Sequence, residues 1–132
     1  MAKITKEIQD FIAGKLGWVA TADKNGLPNL APKGTLKVLD DESLVFADLF
    51  SLKTRAFLES NPQVAVAVID KATGYQFKGK AELLTSGPIF EQVSGGVKAA
   101  MPDVKGIKYA VKIKVDSVYS LSPGPDAGKK LA

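Results

Sequence analysis

The chain has 132 residues and a net charge of +4, with 45% hydrophobic and 24% charged residues. That is enough for one domain with a real core and an ordinary soluble composition. It holds no cysteine and no histidine, which excludes disulfides, thiolate chemistry, Ser-His-Asp hydrolysis and a histidine-ligated zinc or haem, and leaves chemistry to a borrowed cofactor. No apolar run approaches the roughly 20 residues of a membrane span. Met1 to Lys6 lacks the apolar stretch of a signal peptide, so a cytoplasmic location with no membrane partner is expected.

Ile4, Ile8, Phe11, Ile12 and Leu16 follow helical spacing, which predicts an amphipathic helix covering one end of a barrel. Thr5 is its candidate N-cap and Gly17 its candidate C′ residue. Gly17 to Ala22 reads as a first strand. In Asp23-Lys24-Asn25-Gly26 the Asn-Gly pair supplies the positive φ of a tight turn. Pro28 to Leu39 reads as one long second strand, in which Pro32 demands an edge position or a bulge. Asp40-Asp41-Glu42 makes the next turn, and Ser43 to Ala47 the third strand.

Ser51 to Ser60 predicts a helix that Asn61-Pro62 ends. Gln63 to Ile69 is a β-branched strand alternating valine with alanine, a pattern suited to close packing against another layer. Tyr75 to Leu84 is a further strand, with Gly79 marking a bulge. A helix opens at Gly87-Pro88 and carries Ile89, Val93, Val97 and Ala100. Lys108 to Leu121 closes the sheet. Residues 122–132, rich in Pro and Gly, read as a flexible or partner-dependent tail of a single domain spanning 1–132. About six strands with few helices point to a mainly β chain closed as an antiparallel barrel.

The basic residues are dispersed. The densest cluster, Lys108, Lys112 and Lys114, reads mostly as a solvated strand face. A basic barrel that binds nucleic acid would need aromatic side chains among its lysines. Aromatics are only 8%, so nucleic acid is not the expected partner and stays the minor alternative.

The informative stretch is Pro28 to Val68, where two strands lead through Ala47-Asp48 into a helix beginning Lys53-Thr54-Arg55. A helix start offers unpaired N–H groups and a positive dipole end, lysine adds a charge and threonine a hydroxyl. This is the chemistry of a phosphate cradle, though a charged first turn facing water has the same pattern. PNLAPKGTLKVLDDESLVFADLFSLKTRAFLESNPQVAVAVI, residues Pro28 to Ile69, together with GWVATADKNGLPN and YQFKGKA, resembles the FMN-binding split-barrel family of pyridoxamine-phosphate-oxidase-like proteins. The resemblance implies an antiparallel split β-barrel that binds FMN, in a homodimer whose second subunit completes the flavin site. It assigns Lys53 and Thr54 to the FMN phosphate and Thr35 to the phosphate or ribityl chain. Pro32, Lys33 and Gly34 would line the isoalloxazine ring, and Ala47 and Asp48 would flank the ribityl side.

Each position has a rival reading. Lys33 is also a plausible solvated strand residue, Asp48 a helix cap, and Arg55 an i,i+4 partner of Glu59. Gln76 reads as a surface strand residue or a contact from the other subunit. Trp18 and Tyr75 read as core or interface aromatics. The chain also departs from true pyridoxamine-phosphate oxidases. It has no histidine, one arginine (Arg55) and a terminal SPGPDAGKKLA in place of an Arg-Leu-x-Pro-type motif, so that oxidation is not expected. The resemblance is closer to the short FMN-binding members. It implies an FMN-dependent oxidoreductase or electron carrier, with a deazaflavin site or a non-catalytic FMN module as alternatives.

Overall fold

The computed structural model describes residues 2–49, 52–104 and 106–132. The elements run α1 (Lys6–Ile12), β1 (Gly17–Ala22), β2 (Pro28–Lys33), β3 (Lys37–Asp40), β4 (Ser43–Asp48), α2 (Leu52–Ser60), β5 (Gln63–Asp70), β6 (Thr73–Leu84), α3 (Pro88–Ala100) and β7 (Tyr109–Ser120). All neighbouring strands are antiparallel, in the order β2-β1-β5-β6-β7-β4-β3. The edges β2 and β3 are consecutive in the chain, joined only by residues 34–36. Four Cα steps reach no further than roughly 15 Å. The sheet therefore curls until its edges approach, and the result is a barrel split between β2 and β3.

The long second strand expected over Pro28 to Leu39 is thus two strands, and among the described residues the sheet has seven. The break falls at Gly34-Thr35-Leu36, where Leu36 N–H donates to Lys33 O at 3.3 Å. Pro32 lies on edge strand β2, where its missing donor costs no ladder bond.

Thr5 caps α1, its Oγ1 accepting from Ile8 N at 3.4 Å. The helix ends at Ile12, and Gly14 (φ 74) turns the chain. Gly17, expected as the C′ residue, is instead the first residue of β1. In the first hairpin, Gly26 N–H donates to Asp23 O at 3.0 Å and Gly26 alone takes positive φ (84), so Asn25 is not needed for it. The Asp23 carboxylate accepts from Asn25 N and Leu27 N at 2.8 and 2.9 Å.

Val19, Phe46, Val66, Val68, Phe77, Ile113, Val115 and Val118 fill the barrel, and Ile4, Ile8 and Ile12 close one end. Every residue of β4 is buried, because the barrel core covers one face and α3 packs on the other. The expected bulge is present as a register shift between Lys78 and Gly79. Residues 122–132, read from composition as a flexible tail, fold back along β7. Gly128 N–H donates to Ser120 O at 2.8 Å and Leu131 N–H to Val118 O at 2.7 Å. Ala132 rests against the core.

Candidate functional site

A side-chain hydroxyl ties the break between β2 and β3 to the end of β4. Thr35 Oγ1 accepts from Ala47 N at 3.0 Å and lies 3.4 Å from Ala47 O. This ties the edge loop to the end of β4 and leaves Gly34 and Thr35 on the rim of a cavity of about 520 Å³. One wall is Val38, Leu39 and Val45 with Leu49 just past β4, and the other is Val93 and Val97 of α3 with Met101 just past its end. Lys37, Thr35 and Gln92 supply side-chain polar groups. A mostly apolar slot with a few convergent polar groups suits a flat ring system carrying hydrogen-bonding edges.

Beside the loop, Lys33 is only 5% exposed, so the solvated-strand reading is overturned. Its ammonium stands 5.5 Å from the centre of the Phe46 ring. Burial pushes its pKa below the usual lysine value, and the negative charge of Asp48 opposes that shift. Asp48, at the end of β4, meets the Arg55 guanidinium at 3.8 Å. Arg55 also lies 5.3 Å from the Tyr109 ring centre. It is turned toward β4 and β7 rather than paired along its own helix with Glu59.

At the start of α2, Lys53 is exposed while Thr54 is buried. Asn29 Nδ2 donates to Thr54 Oγ1 at 3.3 Å and sits 3.4 Å from Thr21 Oγ1. The two residues expected together on a phosphate thus face opposite ways. Lys53 points to the surface, and Thr54 pins the helix start to the β1–β2 hairpin.

The structure brings Gly34, Thr35 and Ala47 together, with Lys33 and Asp48 next to them. Pro32 stands apart, opposite Trp18 at the sheet edge. Gln76 lies on β6 opposite Ala67 and Tyr119. Sequence reasoning missed Lys37 and the whole α3 wall. Lys37 follows Thr35 by two residues and was within reach of a strand-alternation argument. Gln92 and Met101 are more than fifty residues downstream of β3 and left no local signal. Among the described residues, no cluster of His, Cys, Asp or Glu suits a metal ion, and no helix is long and apolar enough to cross a membrane.

The Lys33 environment makes a pH prediction. Folding lowers its pKa, so the unfolded chain holds this proton more tightly. Stability therefore rises with pH between the folded-state pKa and the ordinary 10.5, where only the unfolded state remains protonated. Lys33→Met should leave the melting temperature at neutral pH equal or higher and remove that alkaline rise. Thermal melts across the alkaline range measure both. A large fall in melting temperature at neutral pH would show that the ammonium is held favourably after all.

Residues 4–122 match the family model described as pyridoxamine 5'-phosphate oxidase. The chain belongs to this family. It is 38% identical over 135 residues to the uncharacterized protein MJ0282 of Methanocaldococcus jannaschii, across 100% of this chain and 90% of that one. HupZ of Group A Streptococcus is 31% identical, with a TM-score of 0.83 over 95% of this chain and 99% of HupZ. Two more distant structures share the fold. An FMN-binding protein from Syntrophomonas wolfei is 17% identical, with a TM-score of 0.75 over 90% of this chain and 84% of that one. HutZ, the heme storage protein from Vibrio cholerae, is 18% identical, with a TM-score of 0.69 over 89% and 94%. The fold is therefore the antiparallel split barrel of this family.

Proposed function

We propose that the chain is an FMN-binding flavoprotein, an oxidoreductase or electron carrier, that works as a homodimer with shared flavin sites. The observation that carries this reading is the apolar slot whose rim is Gly34 and Thr35 and whose polar groups include Lys37 and Gln92. Bound FMN would supply hydride or single-electron transfer. Gly34 and Lys37 border the place of the ring system, and the Lys33 ammonium sets positive charge behind it. Lys53 and the N–H groups of the first turn of α2 take the phosphate, with Thr54 fixing that helix start through Asn29. The absence of histidine leaves the imidazole route to haem closed. Oxidation of pyridoxamine phosphate is not proposed, because the one arginine turns to Asp48 and lines no part of the slot.

Absorbance of the purified protein tests the cofactor. Flavin bands, with quenching of added FMN fluorescence at one equivalent per chain, are expected. A deazaflavin spectrum would support the alternative cofactor, and saturation by neither would overturn the reading.

The dimer has its own support. Cross-strand partners share a face, so Pro28, Leu30 and Pro32 of β2, Ala20 and Trp18 of β1, and Ala65 and Ala67 of β5 make one outward apolar patch. Leu30 is 63% and Trp18 42% exposed. A continuous apolar patch of this kind marks an interaction surface. Leu30→Lys should convert a dimer to a folded monomer in sedimentation and weaken FMN binding with it. A wild-type monomer that holds FMN fully would contradict shared sites.

A further inference from the structure

A second, open pocket on the surface is lined by Arg55, Ala56 and Glu59 of α2, by Thr85 after β6, by Lys108, and by Tyr109 at the start of β7. It shares no residue with the first. Arg55 is the only arginine in the chain. Its side chain is 19% exposed and already oriented, 3.8 Å from the Asp48 carboxylate and 5.3 Å from the centre of the Tyr109 ring. A guanidinium carries five N–H donors, more than one long carboxylate contact uses. Lys108 adds a second cation on the same wall.

We propose that this pocket binds an organic phosphate of mononucleotide size. Arg55 and Lys108 hold the phosphate, as charge-assisted pairs do. Tyr109, with the Arg55 guanidinium over its ring, offers aromatic contact to a flat base. Glu59 accepts from a sugar hydroxyl, the usual partner of a carboxylate at a ribose. The site is separate from the proposed flavin slot and does not require that slot to be filled.

The test is calorimetric titration of the full chain with AMP, with adenosine and inorganic phosphate as comparison ligands, both with and without saturating FMN. AMP should bind equally well in both conditions, with adenosine and phosphate each weaker by at least about tenfold. Lys108→Glu, at an exposed position, should weaken AMP by at least about tenfold and leave FMN fluorescence quenching unchanged. Tyr109→Leu should weaken AMP but not inorganic phosphate. No measurable AMP binding, displacement of AMP by FMN, or phosphate binding as tight as AMP would each overturn the proposal. If the chain binds no FMN at all, the AMP titration and its Lys108→Glu control still decide the matter.

Discussion

Gly79→Ala is expected to cost more than about 3 kcal/mol of stability, among the larger effects a single methyl can have. The added Cβ would collide with the carbonyl oxygen of Lys114, and would stand 2.9 Å from that carbonyl carbon and 3.2 Å from Val115 Cα. These are backbone atoms of β7, which lies between β6 and β4 in the sheet. They cannot rotate away as a side chain would. Strands β6 and β7 would have to separate at the bulge where Gly79 pairs with Val115. For a chain of this size the loss lowers the melting temperature by about 10 °C or more. Gly95→Ala is the internal control. Gly95 lies on α3 with nothing within 4 Å of a new Cβ, so alanine there should add up to about 1 kcal/mol through helix propensity alone. Thermal or urea melts of the two variants would show opposite signs. A wild-type melting curve for Gly79→Ala would mean that β6 and β7 have slack the structure does not show.

The second large effect concerns binding. Lys53→Ala should weaken FMN by roughly ten- to hundredfold, the value of one charge-assisted bond to phosphate. Lys53 is exposed, so melting should not change. Riboflavin, which lacks the phosphate, should bind the variant and the wild-type protein alike. If FMN affinity is unaltered, Lys53 plays no part in the site. If riboflavin weakens in parallel, the lysine acts on the fold of the slot and not on the phosphate.

What the sequence made legible was local. Thr5 as a cap, Asn61-Pro62 as a helix stop, Pro32 on an edge and Gly79 at a bulge each rest on the stereochemistry of a few adjacent residues. The split of Pro28 to Leu39 into two strands was not legible. It depends on Thr35 reaching Ala47, twelve positions away, and on the barrel curling its edges together. Lys33 shows the same limit. Its residue type argues for water, and only the surrounding Phe46 and Asp48 show it buried. Arg55 had a good helical partner in Glu59, but the structure supplies Asp48 and Tyr109 across the fold. Gly34 and Thr35, which line the slot, were named because they sit within one run of sequence. The α3 wall was not, since a helix's apolar stripe does not say which cavity it closes.

Asn29 and Leu30 are neighbours on edge strand β2, and successive side chains of a strand point to opposite faces. Asn29 holds the start of α2 through Thr54, while Leu30 stands 63% exposed on the outer face. One peptide unit therefore joins the outside of the barrel to the helix that follows β4. A displacement of β2 caused by anything seated against Leu30 would pass to Thr54 without crossing the core. The edge strand, which has a sheet neighbour on only one side, links the molecule's exterior to the neighbourhood of Lys53.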